Sequence, residues 1–178
     1  MASGIVFTIM NTIAESIYPA YSVRTNALSD LGALGHSTAF LWDGQLFVSA
    51  ALALTGMSLL VFRSSLSEFI QGRPVQLLFL LPPVGSLIVS IFPENTVLGI
   101  HTLGALVAFI FGALSALYAF RFTKSPFRYF SVLLGVVSLV AIPLLGDPSL
   151  LGFGGMERLV VYPSTLWGIA FGAYLTAV

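Results

Sequence analysis

Residues 96–120 read TVLGIHTLGALVAFIFGALSALYAF. No Asp, Glu, Lys or Arg interrupts this stretch, and it exceeds the roughly 20 mostly apolar residues that an α-helix needs to cross a bilayer. Its polar groups, Thr96, His101, Thr102, Ser115 and Tyr118, are too few to make the wetted face of a soluble helix. Gly104, Ala108, Gly112 and Ala116 recur every fourth residue and mark one small-residue face, where a neighbouring helix backbone can approach closely. His101 lies one turn outward on that face and is expected to point into a helix bundle, away from lipid.

Five more stretches of the same kind flank this one. The spans expected are Ser3–Tyr18, ended by Pro19; Phe40–Phe62; Val75–Phe92, after a break at Gln71 to Pro74; Thr96–Phe120; Phe127–Leu145; and Leu159–Val178. The first is short and carries Asn11 and Glu15, which favour a position facing the protein interior or partly in the membrane interface. In the last, Gly168 and Gly172 repeat the four-residue spacing. Composition agrees: 57% of the 178 residues are hydrophobic and 8% charged, where a soluble domain carries about 25% charged residues. The expected fold is all-α, a polytopic transmembrane bundle of about six spans forming one domain over residues 1–178.

Charge sets the orientation, because Lys and Arg near span ends stay on the cytoplasmic side. The second loop holds Arg63 and Arg73 and the fourth holds Arg121, Lys124 and Arg128, against Arg24 and Arg158 in the odd-numbered loops. Both termini are therefore expected in the cytoplasm, in a multi-pass protein of the cell membrane. The N-terminus, Met1-Ala2-Ser3-Gly4, lacks the positive flank of a cleavable signal, so the first apolar stretch reads as a retained helix. Seven basic residues balance seven acidic ones with no basic run, which argues against nucleic acid as a partner. Without cysteine there is no disulfide, thiolate chemistry or cysteine-bound metal or haem, and no cofactor is indicated.

The same topology sorts the ionisable residues. Glu15, Asp30, Asp43, Glu94, Asp147 and Glu157, with His36 and His101, fall in or beside the odd-numbered loops, leaving Glu68 alone on the cytoplasmic side. Charges at helix mouths are costly to desolvate unless paired, so a polar constellation at the extracytoplasmic face is expected. Solvated outside loops would carry charge too, and Trp42, Tyr18, Tyr21, Tyr162 and Trp167 also fit an interfacial aromatic belt. Asp30 could cap a helix or pair with Arg24 or Arg158, with Asn26 and Ser29 satisfying loop backbone.

Three clusters carry the distinctive residues: Tyr18-Pro19-Ala20-Tyr21-Ser22-Val23-Arg24-Thr25-Asn26-Ala27-Leu28-Ser29-Asp30-Leu31-Gly32; Phe92-Pro93-Glu94 followed by His101; and Gly155-Met156-Glu157-Arg158 followed by Tyr162-Pro163 and Trp167. Together they resemble the six-span membrane proteins grouped as a domain of unknown function, family 998, and more remotely the Frag/DRAM/Sfk group, over nearly the whole chain. Ala20 stands where that family commonly has Gly. The resemblance implies a six-helix fold with the three clusters on one face, and no established reaction.

The chemistry these residues permit is varied. Ser29 with His101 and either Asp30 or Glu94 supplies the parts of a nucleophilic hydrolase, without a Gly-x-Ser-x-Gly elbow. His36 and His101 with Asp30 or Asp43 could ligate a metal, but no His-Glu-x-x-His spacing is present and no metal site is assigned. The preferred reading is a lipid or lipid-linked headgroup bound at the outer face. Arg24 and Arg158 would hold a phosphate with Asn26 beside them, and Asp30, Glu94, Glu157 and His101 would orient those cations or act on the substrate. If an enzyme, it would be a hydrolase or transferase acting on lipid at the outer leaflet. The alternatives are a coupled transporter with Glu15, Asp43 and His101 as relay, and a non-catalytic scaffold whose small-residue faces could pair two copies. Membrane lipids are the expected partners.

Overall fold

The computed structural model describes residues 1–63, 72–147 and 149–177, so Glu68, Gln71 and Val178 of the preceding reading lie outside the described residues. Among the described residues the chain is all-helical: α1 Ala2–Ile17, α2 Ala39–Arg63, α3 Arg73–Ile91, α4 Leu98–Ala119, α5 Phe127–Ala141 and α6 Gly152–Ala177. Five helical stretches, all except α1, are long and apolar enough to cross a membrane. With 16 residues, α1 is about 24 Å long at 1.5 Å per residue, shorter than the roughly 30 Å hydrocarbon layer.

Each helix packs on the next, and α1 closes the ring against α6, with α4 also touching α6. The faces follow from sequence spacing. On α1, Ile5, Ile9, Ile13 and Ile17, four residues apart, stand exposed in one ridge, while Asn11 and Ala14 are buried on the opposite side. The most extensive packing joins α3 to α4. A Cβ on Gly104 would lie 2.8 Å from Ile88 Cγ2 and 3.0 Å from the Gly85 carbonyl, so only glycine lets these two backbones meet. The small-residue face of α4 is thus occupied within the chain. Its lower half meets α6, with Gly112 in ordinary contact with Ser164.

Proline inside α3 is repaired across the same interface. Pro82 has no N–H to give the carbonyl four residues back, that of Leu78. Ser115 Oγ of α4 fills the vacancy, donating to Leu78 O at 2.7 Å. Two further bonds tie α5 to α6: Ser138 Oγ donates to Val160 O at 2.9 Å and Trp167 Nε1 to Ser131 Oγ at 3.1 Å.

Two expectations are corrected here. The sixth helix begins at Gly152, seven residues before the expected Leu159, so Glu157 and Arg158 sit in its second turn. It is also the least apolar of the five long helices, with mean hydropathy 1.3 against 1.8 to 2.1. Trp42 and Trp167, expected in an aromatic belt, are both 3% exposed and belong to the interior.

The ring is not filled. A cavity of about 480 Å³ runs between α1, α2, α3, α4 and α6, with α5 packed outside it. At one end its wall includes Leu28, Ser29, His101 and Glu157; at the other, Met1, Gly172 and Leu175. A Cβ on Gly172 would touch Met1, so the N-terminus rests beside the last turns of α6 and both chain ends share one end of the bundle.

Candidate functional site

The segment between α1 and α2 folds as a chain of local side-chain bonds. Asn26 Oδ1 accepts from Ser22 N at 3.1 Å and Asn26 Nδ2 donates to Asp30 Oδ2 at 2.9 Å. The same Asp30 oxygen accepts from Ala27 N at 3.0 Å, fixing the turn that leads into a single 3-10 turn, Ser29–Gly32. Leu28 and Leu31 then bury against Ala14, Trp42, Leu46 and Val89, which anchors the loop over the bundle. Ala20 enters this segment with φ +54, a left-handed conformation that favours glycine.

The two other odd-numbered loops join it. Asn95 clamps Leu34 with two bonds of 2.9 Å: its Oδ1 accepts from the Leu34 N–H and its Nδ2 donates to the Leu34 carbonyl. Gly152 and Gly154 bring the start of α6 so close to the Arg24 and Asn26 carbonyls that any Cβ there would collide with backbone. Gly154 N donates to Arg24 O at 3.2 Å. These segments gather at one end of the molecule, as expected.

Arg158 is the hub. Its Nη1 donates to the carbonyls of Gly154, Asn26 and Val23 at 2.9, 3.1 and 3.3 Å. Its Nη2 donates to Glu15 Oε1 at 2.6 Å and to the Tyr21 hydroxyl. Glu15 also accepts from Asn11 Nδ2 at 3.1 Å, and Asn11 Oδ1 accepts from Trp42 Nε1 at 3.1 Å. The Tyr21 hydroxyl in turn donates a hydrogen bond to Ala27 O at 3.0 Å, and burial pushes its phenol above the ordinary value despite the neighbouring guanidinium. One continuous network therefore runs through α2, α1, α6 and the first loop.

The remaining carboxyl groups lie next to this network. Glu157 accepts from Leu28 N, and Asp30 and Glu94 are within electrostatic range of it. Burial raises Glu94 to about 7; Ser29, within side-chain reach, opposes that shift, and the nearby Asp30 reinforces it. His101, 7% exposed, places Nδ1 2.8 Å from Phe92 O. A carbonyl only accepts, so Nδ1 carries a proton, and the ring, with Ser29 and Glu157, borders the cavity.

Of the candidate residues, Ser29, Asp30, Glu94, His101, Asn26, Glu157 and Arg158 come together. Arg24 does not: its backbone joins the cluster but its side chain is exposed. Arg158 is committed to Glu15, not to Asp30 or Glu157. The group that orients His101 is a backbone carbonyl, not the carboxylate that a Ser-His-Asp relay requires. His36 sits on the exposed rim, stacked on Tyr18 with ring centres 4.9 Å apart. Among the described residues no three His, Cys, Asp or Glu side chains gather in a metal-binding group.

Sequence reasoning gave Glu15 to a relay and Tyr21 to a belt, and so missed both as partners of Arg158. The signal for Glu15 was its spacing from Asn11: four residues apart in an apolar helix, the two polar groups share one face and need a common partner.

No curated protein and no solved structure matches the chain. The family described as protein of unknown function (DUF998) matches residues 1–174, nearly all of it. With its helical bundle and the three loop clusters gathered at one end, the chain belongs to the DUF998 family.

Proposed function

We propose that this protein binds a lipid, with the chain of the lipid inside the bundle and its polar end at the extracytoplasmic mouth. It would act as a multi-pass protein of the cell membrane with both termini in the cytoplasm. The observation that carries this reading is the cavity: about 480 Å³, within the roughly 300 to 1,000 Å³ of small-molecule sites, apolar along most of its wall and polar at the Ser29, His101 and Glu157 end. That asymmetry matches an amphiphile. The span from Glu157 to Gly172 along α6 is 15 residues, about 22 Å, longer than one leaflet of the roughly 30 Å hydrocarbon layer and enough for an extended acyl chain. Arg158 supports the site by holding the first loop against α6.

Gly168 tests the reading because a Cβ there meets nothing within 4 Å while the residue borders the cavity. Mass spectrometry of lipids carried through purification in a neutral detergent should find a stoichiometric lipid on the native protein. Gly168→Trp should fill the space and lose that lipid, while Leu133→Trp on the exposed face of α5 should keep it. Equal lipid content in all three proteins would refute internal binding.

A further inference from the structure

We propose that the cavity selects a lipid whose polar end is an amine or ammonium group over one ending in phosphate or carboxylate. This rests on the lipid-binding reading and names the headgroup. It reverses the expectation that arginines at this face would hold a phosphate.

The guanidinium is already spent. Arg158 Nη1 and Nη2 serve three carbonyls, Glu15 and Tyr21, and the side chain is 6% exposed. Its Nε is buried without a partner, but Arg158 does not border the cavity. Arg24, the other arginine at this end, is exposed and likewise outside the cavity wall. Among the described residues no Lys or Arg lines the cavity; the positive group that does, the Met1 terminus, is at the far end.

An anionic headgroup would instead meet acids. Glu157 borders the cavity, with one carboxyl oxygen bonded to Leu28 N, and Asp30 and Glu94 stand within electrostatic range. Glu15 takes up the charge of Arg158 in an ion pair, the one formed among the described residues. Glu157 has the Arg158 guanidinium within electrostatic range, but that guanidinium is bonded to Glu15, so the three carboxyl groups of this half-buried cluster make no ion pair of their own, an arrangement that is costly unless something positive joins it.

A second, independent observation shows that the cavity itself awaits a polar partner. Ser49 of α2 is 3% exposed, borders the cavity and has a hydroxyl with no hydrogen-bond partner. A buried hydroxyl without a partner is uncommon in a folded chain, and the contents of the cavity are what it faces. Ammonium N–H groups would find acceptors in Glu157 and Ser29 at the mouth, and a hydroxyl or amide farther along the ligand would reach Ser49.

Both tryptophans of the chain, Trp42 and Trp167, border the cavity, so their fluorescence reports its occupation. The probes are three single-chain amphiphiles of equal length brominated near the chain end, ending in amine, alcohol or phosphate, added to the purified protein in neutral detergent at pH 7.5. The amine should quench at a concentration at least tenfold below that of the phosphate, with the alcohol between. Glu157→Gln should bring the amine to within about threefold of the alcohol, whose own quenching should change by less than that of the amine. If Glu157→Gln does not fold, Glu94→Gln should narrow the gap by a smaller factor, and the ranking on the native protein already decides. Phosphate quenching as well as or better than amine would overturn the headgroup inference while leaving lipid binding intact. Quenching by none of the three would overturn both.

Discussion

The two ends of the bundle are held by different physics. At the loop-rich end, Trp42, Asn11, Glu15, Arg158, Tyr21 and Ala27 are joined by directed hydrogen bonds and one ion pair. At the end that carries the chain termini, Phe79, Phe122, Phe127, Trp167, Phe171 and Tyr174 pack ring on ring, with Phe127 stacked 4.9 Å from Tyr174 and Trp167 4.8 Å from Phe171. Directed bonds each have one acceptable partner, whereas ring contacts are shared among many neighbours. The first end should therefore fail at single substitutions that the second absorbs, and the first is where a ligand can be recognised.

The largest effect expected is at Arg158. Arg158→Met removes the donor and leaves the half-buried Glu15 without its cation and three carbonyls without their partner, which should cost about 3 to 5 kcal/mol in a reversible unfolding assay in detergent. Phe127→Leu at the other end should cost less, about 0.5 to 1.5 kcal/mol. Equal losses would dissolve the distinction between the two ends.

Next comes the glycine contact between α3 and α4. Gly104→Leu drives a side chain into Ile88 and the Gly85 backbone and should destabilise by about 1 to 3 kcal/mol or more, whereas Gly99→Ala, with nothing within 4 Å, should be neutral or gain a few tenths. Thermal unfolding of the two variants checks this.

Proton linkage gives a finer test of the polar end. Glu94 is raised from 4.5 to about 7 in the folded chain, so between those values the folded state holds the proton more tightly than the unfolded one. Stability should fall as pH rises from about 4.5 to about 7, and Glu94→Gln should remove that part of the slope. An unchanged pH profile would place Glu94 in water. The smallest effect is expected at Ala20: with φ +54, Ala20→Gly relieves the left-handed strain while adding freedom to the unfolded chain, for a net change within about 1 kcal/mol and not the usual penalty of a new glycine.

These contrasts also mark how far the sequence could be read. Five of the six helix starts fell within two residues of expectation because apolar length and the breaks at Pro19 and Pro74 are local signals. The start of α6 was not local. Gly152, Gly154 and Gly155 beside Glu157 and Arg158 resemble a loop, and they are helical because the glycines let the first loop press close and Arg158 then finds acceptors there. The pairing of Arg158 with Glu15 spans 143 residues, and Asp30, Glu94 and Glu157, all closer in sequence, were equally eligible. The gathering of the three loops was legible from charge sorting, but the direction of each side chain within it was not. The cavity had no sequence signature at all, since it is made by what five helices fail to fill.

The most direct test of the central claim is where a lipid chain sits. A long-chain amine carrying a photoreactive diazirine at its far end, cross-linked to the purified protein and mapped by peptide mass spectrometry, should label the inner cavity wall around Gly168, Phe171 and Leu175. Labelling confined to the exposed ridge of Ile5, Ile9 and Ile13, or to Leu133 on α5, would place the lipid outside the bundle and contradict the account.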